Sequence, residues 1–488
     1  MHPLSNLSPI EGERLAQGHR VEFESNEQIT GRGRYMKALW FQTALLPAGW
    51  ADDVRIEHAD GRIVRVEVGV PPQPGDERGA AALPGLPNLH SHAFQRGMAG
   101  LAETRGPADD SFWTWREVMY RFLDHLNPDD VEAIAALAYA EMLEAGFTRV
   151  GEFHYLHHDA DGRAYADPAE MAGRIVAAAE ATGVGLTLLP VFYAQGGFGG
   201  APANPAQRRF LNDPDSFARL VEACRGHLNR SQDANLGVAP HSLRATTPEQ
   251  LARITPLAEG GPIHIHIAEQ MREVHDCLAW SGRRPVDWLL DHADVDGRWC
   301  LVHATHMTET ETVRLAVSGA TVGLCPITEA NLGDGVFPAA RFFDEGGRFG
   351  IGSDSNVLID AAEELRLLEY GQRLTLRARN VLVAAERPSS GAALYAGAAA
   401  GGAAALGQGP AGLAAGAAAD IVALDADHPS LAGRSGDALL DGWIFAARGG
   451  AVESVWRGGR KVVEAGRHVG KDAIAQRYRR TLTKVLSA

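Results

Sequence analysis

The stretch Leu86-Pro87-Asn88-Leu89-His90-Ser91-His92 decides how this chain is read. Two histidines one residue apart close an apolar run. In an extended strand, residues i and i+2 point to the same face. Both imidazoles can then reach one ion at about 2.0–2.1 Å, the usual zinc–nitrogen distance. Such a pair alone is weak evidence, and its weight comes from what stands at the ends of later strand-like runs.

From Leu83 onward, short apolar runs alternate with helical patterns. The strand candidates are 84–89, 147–153, 185–191, 235–240, 262–267, 299–303, 320–325 and 348–352. Amphipathic helices are predicted between them, among them 128–145, 168–182, 247–259 and 309–317. Strands alternating with helices imply a parallel sheet. The expected fold class is therefore α/β, a distorted (β/α)8 TIM barrel over 83–405.

The flanks read differently. Leu39-Trp40-Phe41, Val54-Arg55-Ile56-Glu57 and the run Ile63 to Val68, with Asp60-Gly61 as a turn, predict antiparallel strands. After an Ala/Gly-rich stretch to 419, read as a small-residue helix and a loop, further strands are predicted at 419–425, Ile444-Phe445 and Val452 to Trp456. Segments 36–82 and 406–470 are expected to build one small β-sandwich domain from both chain ends, followed by a C-terminal helix over 471–488. Residues 1–35 are polar, lack a signal-peptide core and are expected to be a disordered extension, with Met36 as the natural start.

Composition narrows the function. The net charge of −15 argues against a nucleic-acid partner, because phosphate binding needs a basic surface. A small anionic substrate needs only a few placed arginines and is not excluded. No run approaches the roughly 20 apolar residues that span a bilayer, so no membrane association is expected. Cys224, Cys277, Cys300 and Cys325 form no CxxC pair and are expected as buried free thiols in a cytoplasmic protein.

In a (β/α)8 barrel the C-terminal strand ends converge on the active site. His90 and His92 end the first barrel strand, His266 ends Pro262 to Ile267, His303 ends Trp299 to His303, and Asp354 follows Gly350-Ile351-Gly352-Ser353. Glu269 stands three residues after His266. Histidines with a carboxylate suit zinc or another divalent first-row ion. His264 shares a face with His266 but is expected to line the core. His157, His158, His275, His292 and His306 fall in loops or helices and carry no predicted role.

The signatures Pro-Gly-Leu-Pro-Asn-Leu-His-Ser-His (84–92), His-Ile-Ala-Glu (266–269), Val-His-Ala (302–304) and Gly-Ser-Asp-Ser (352–355) resemble the amidohydrolase superfamily. The tail Gly412 to Val422 resembles its closing strand. The likeness covers roughly 36–470 and points to the mononuclear deaminase branch, since no lysine suited to carbamylation stands at a strand end. It implies one ion per subunit, held by His90, His92, His266 and Asp354. Glu269, His303 and Asp354 would carry the catalytic proton transfers.

Longer stretches, 92–103, Phe112 to Glu117, Glu152 to His158 and His241-Ser242-Leu243-Arg244, are similar to the members of that branch that deiminate N-formimidoyl-L-glutamate in histidine degradation. The likeness implies a small dicarboxylate amidine as substrate and a homodimer. Arginine suits carboxylates through its bidentate geometry. Arg116 and Arg244 are the expected clamps, with hydrogen bonds from Gln95, Tyr155 and His241. Arg96 and Arg121 are weaker alternatives. The alternative function is deamination of another amidine, such as guanine, cytosine or an adenosine derivative. The loop Gly196 to Gly200 is read as a mobile flap carrying Phe198 over the site.

Overall fold

In the computed structural model, residues 28–30, 34–105, 111–229, 233–383, 387–409 and 411–487 are described. The extension expected over 1–35 lies outside them, apart from a short strand, Gln28–Thr30, paired with residues 34–36.

Two parallel sheets form the centre. Leu86–Ser91, Phe147–His154, Gly185–Phe192 and the short strands Asn235–Leu236 and Ala239–Pro240 make one. Ile263–Ile267, Trp299–His303, Thr321–Leu324 and Arg348–Ile351 make the other. Single parallel bridges Val238↔Ile263 and Ser242↔His266 link them on one side, and Ser91↔Asp354 links them on the other. The result is a TIM-barrel-like α/β fold. Phe147–His154 and Gly185–Phe192 are buried at every position, which is why parallel strands covered on both faces read as unbroken apolar runs.

The intervening helices start where side chains satisfy their free N–H groups. Asn127 caps Pro128–Glu144, Thr247 caps Pro248–Ile254 and Thr308 caps Glu309–Val317, each with a reciprocal bond from the third residue. The helix expected over 247–259 tightens to a 3-10 turn at Thr255–Ala258, where Pro256 withholds its backbone donor. The Ala/Gly-rich stretch is the helix Ser390–Ala405 followed by a loop. A Cβ on Gly401 would run into the Phe349 carbonyl, so the small residues let this helix lie directly on a strand.

Both chain ends enter a single nine-stranded sheet. Its order is Arg467–His468, Arg460–Glu464, Val452–Arg457, Ile421–Leu424, Glu77–Pro84, Arg34–Leu46, Gly49–Ala59, Arg62–Glu67, with Gln28–Thr30 beside Arg34–Leu46. The first strands of the chain form the antiparallel meander the sequence predicts, while Glu77–Pro84 joins Arg34–Leu46 in parallel. Phe41 meets Trp456 edge-on at 5.8 Å. Their strands stand three steps apart, roughly 14 Å in a flat sheet, so the sheet curls. Its far edge comes round to an antiparallel bridge, Arg62↔Ala418.

One expectation is corrected. Ile444-Phe445 is not a strand but part of the helix Asp437–Ala446. Leu439, Leu440, Trp443 and Ile444 are buried at helical spacing, and Trp443 packs on Tyr395 while Phe445 stacks on Tyr370. A short apolar run does not distinguish the two periods by itself. All four cysteines are buried and free. Among the described residues no helix is long and apolar enough to cross a membrane.

Candidate active site

The strand ends place the chemistry-bearing side chains, and they do so with unusual backbone. Ala268, His303, Ala304, Asp354 and Asn356 all have positive φ, between 44° and 69°. For non-glycine residues each such conformation costs about 1–3 kcal/mol. Tertiary hydrogen bonds hold it in place. Asp354 N–H donates to the His90 carbonyl at 3.0 Å and His92 N–H to the Asp354 carbonyl at 2.9 Å. Beneath them Asn88, Ser353 and Asn356 form a buried network. Asn88 Nδ2 donates to Ser353 Oγ at 2.6 Å, Ser353 Oγ to Asn356 Oδ1 at 2.6 Å, and Asn356 Nδ2 to the His92 carbonyl at 3.1 Å.

His90, His92, His266 and Asp354 are brought together, all buried. His90 Nε2 lies 3.0 Å from His266 Nε2 and 3.2 Å from His92 Nε2, and Asp354 Oδ1 lies 3.2 Å from His92 Nε2. Four donors at about 2.0–2.1 Å around a tetrahedral ion would be separated by roughly 3.3–3.4 Å. The outer ring nitrogens fix the tautomers. His92 Nδ1–H donates to the Phe153 carbonyl at 2.9 Å and His266 Nδ1–H to the His241 carbonyl at 3.1 Å. In the neutral rings the Nε2 lone pairs then face one another, an arrangement that a cation resolves. Burial keeps His90 neutral, its pKa lowered to about 3 against the pull of Asp354. Burial would raise Asp354, but the imidazoles around it, His90 and His92 in contact and the charged His303 beside them, hold it well below the usual carboxylate range. The residues fit a divalent cation. Cys325 lies close to His303 and Asp354, but burial pushes its thiol well up, which makes it a poor ligand.

Beside this group stand Glu269 and His303. His303 Nε2 is 3.7 Å from Asp354 Oδ2 and 4.0 Å from Glu269 Oε1. Burial opposes charge on His303, yet Glu269, Glu329 and Asp354 outweigh it and raise its pKa to about 10. Burial pushes Glu269 up to about 7 despite His303 and Arg244.

The cavity above is lined by Gln95, Arg116, Tyr155, His241 and Arg244 together with His92, His266, Glu269, His303 and Asp354. Every expected substrate-binding residue is thus on its wall. Gln95 Nε2 donates to the Tyr155 hydroxyl at 2.7 Å, and that hydroxyl donates to Met119 Sδ at 3.2 Å. His241 faces Ser242 Oγ at 3.1 Å. Arg116 lies over the Trp113 ring at 4.6 Å, and Arg244 stands 6.0 Å from the same ring. Arg244 Nη2 is 3.7 Å from Glu269 and its Nε 3.8 Å from Glu273. Among the described residues, Nε of both arginines is buried without a hydrogen-bond partner.

Other expectations fall elsewhere. Arg96 is paired with Glu141 at 2.7 Å, and Arg121 is exposed; neither lines the cavity. His264 is buried, with Nε2–H donating to the Ala405 carbonyl at 2.7 Å. Phe198 is not over the site. It is absent from the cavity lining and stacks on Trp280 of the helix Met271–Ser281 at 5.6 Å. Sequence reasoning missed Tyr193 and Phe210 on the wall, and Glu273 and Glu329 behind it. For Glu329 the available signal was an acidic residue in the otherwise uncharged run 320–333; Glu273, between Arg272 and His275-Asp276, carries none.

The Amidohydrolase family model matches residues 81–462, and the model described as Formimidoylglutamate deiminase HutF, N-terminal domain, matches residues 36–80. The formimidoylglutamate deiminase of Pseudomonas aeruginosa is 53% identical over 455 residues, 92% of this chain and 100% of that protein. A 5-methylthioadenosine/S-adenosylhomocysteine deaminase of Natronomonas pharaonis is 29% identical, across 90% of this chain and 93% of that protein. The crystal structure of an amidohydrolase from Brucella melitensis superposes with a TM-score of 0.90 and 58% identity, covering 92% of this chain and all of that one. The chain belongs to the amidohydrolase family.

Proposed function

We infer that this protein is a hydrolase of C–N bonds that converts N-formimidoyl-L-glutamate to N-formyl-L-glutamate and ammonia, a step of histidine degradation. Similarity to the Pseudomonas aeruginosa enzyme supports this over nearly the whole chain. The observation that carries it is the pairing, in one cavity, of a buried acid–base group with two arginines whose Nε donors are unmet. A dicarboxylate satisfies both arginines, and a purine does not.

Zinc is the ion we assign to His90, His92, His266 and Asp354, one per subunit, because three imidazoles and a carboxylate suit it. When bound, it supplies Lewis acidity and brings the pKa of a coordinated water toward about 7. The chain does the rest. Asp354, kept ionised, accepts the first proton of the attacking water. Glu269, titrating near neutrality, gives its proton to the terminal imine nitrogen as the C–O bond forms. His303, charged over the working range, donates a hydrogen bond to the incoming oxygen from Nε2. The hydroxyl proton of the tetrahedral carbon then returns to Glu269. Asp354 passes its proton to the departing nitrogen, the C–N bond breaks and ammonia leaves. Both carboxylates are restored. Arg116 and Arg244 hold the carboxylates, with Gln95, Tyr155 and His241 completing the wall.

On the same reading the bridged sheets are a closed (β/α)8 barrel over 83–405, and the curled sheet from 36–82 and 406–470 is a sandwich-like domain at its side.

The test is ammonia release from N-formimidoyl-L-glutamate compared with guanine and cytosine, before and after removal of metal by a chelator. Release from the glutamate derivative alone, lost on chelation and restored by zinc, is expected. Release from a nucleobase in preference would overturn the substrate.

A further inference from the structure

His303 is the one proton-handling group whose ring is gripped from behind. Its Nδ1 lies 3.2 Å from Glu329 Oε1. That same oxygen accepts the backbone N–H of Cys325 at 2.9 Å, so the carboxylate is itself fixed in place. Glu329 is buried on the short helix Pro326–Leu332, with its own carbonyl accepting Asp334 N–H at 2.9 Å. His303 has φ of +69°, so the strand end does not set its ring orientation in the ordinary way. An imidazole rotates about its Cβ–Cγ bond with little intrinsic preference. Stacking on His266 at 5.6 Å restrains the tilt of the ring, and the hydrogen bond at Nδ1 is what selects the rotation that places Nε2 between Asp354 and Glu269. Glu329 is not among the residues that line the cavity.

We propose that Glu329 is a positioning residue for catalysis. Its carboxylate accepts a hydrogen bond from His303 Nδ1–H, and this aims Nε2 at the reacting oxygen. The proposal rests on the role given to His303 above. An orienting carboxylate behind a catalytic histidine is a general device, because it selects one tautomer and one ring rotation.

Two variants test it, with wild-type ammonia release as the control. If wild-type protein fails to release ammonia from N-formimidoyl-L-glutamate, it is the function that fails. If wild type is active, the variants judge Glu329. Glu329→Ala removes the grip and is expected to lower kcat roughly 100-fold. Glu329→Gln keeps an acceptor for both donors without the charge and is expected to lose only about tenfold. KM, bound metal and Tm of Glu329→Gln should stay at wild-type values. A crystal structure of Glu329→Ala should show the His303 ring rotated away from Asp354. Where the alanine protein does not fold, the glutamine variant decides by its kcat alone. A kcat within twofold of wild type in Glu329→Gln, or a loss confined to KM or metal content, would overturn the proposal, as would an unmoved ring in the alanine variant.

Discussion

The floor and the mouth of the cavity are built on opposite principles. At the floor the fold itself holds the donors of His92, His266 and Asp354. His92 and His266 donate their outer N–H to carbonyls, and Asp354 is stitched to His90 and His92 through backbone bonds. Asn88, Ser353 and Asn356 lock the strand ends below. At the mouth the arginines rest on an indole face, with donors left unmet. A buried donor without a partner costs about 1–3 kcal/mol. The floor is set by contacts within the fold; on the function proposed above, substrate completes the mouth, where the arginine donors serve recognition, while preorganisation at the floor serves chemistry.

Substitutions can break this contrast, and those at the floor should act on kcat. Glu269→Gln keeps shape and metal but has no proton to give. Turnover is expected to fall 10²–10⁴-fold, roughly the worth of general acid catalysis, while the metal-to-protein ratio stays unchanged. Near-normal kcat would show that another group supplies the proton. At the mouth, Arg116→Met and Arg244→Met should act on binding. A hydrogen bond to a charged group is worth about 1.5–3 kcal/mol, so KM is expected to rise roughly 10–100-fold. A loss confined to kcat in Arg116→Met would merge floor and mouth into one unit. Arg244 stands 3.7 Å from Glu269, so its variant is the one expected to affect both parameters.

The wall behind the floor should act on stability instead of turnover. Burial raises the Glu152 carboxyl to about 8, against the hydrogen bond from Ala93 N–H and the nearby hydroxyls of Ser91 and Tyr139. A carboxyl raised in the folded state stabilises most below its unfolded value of about 4.3. That contribution is lost as pH rises to about 8, because only the unfolded chain then ionises freely. Glu152→Gln should therefore gain stability relative to wild type in urea melts at pH 8.5, compared with pH 5. An equal difference at both pH values would mean that Glu152 is ionised throughout.

What was legible followed from periodicity. The parallel strands were readable because burial on both faces writes unbroken apolar runs, and their ends carried His90, His92, His266, His303 and Asp354 in plain view. Ile444-Phe445 reads as a strand because two apolar residues do not fix a period; it belongs to a helix that packs Trp443 on Tyr395 and Phe445 on Tyr370. Phe198 was misplaced because a glycine-rich loop carries no direction, and only its stacking on Trp280 supplies one.

The sequence by itself determined the type of chemistry, since ligand identity and strand-end spacing are local properties. It also singled out Arg116 and Arg244, because a cation beside an aromatic cluster or a strand end is a local pattern too. Tertiary structure alone decided which groups face which. The left-handed turns at Ala268, His303 and Asp354, the lone pairs aimed at a common point and the hold of Glu329 on His303 all join residues far apart in the chain. Such pairings have no sequence period, because they exist only once distant strand ends have been brought within a few ångströms of one another.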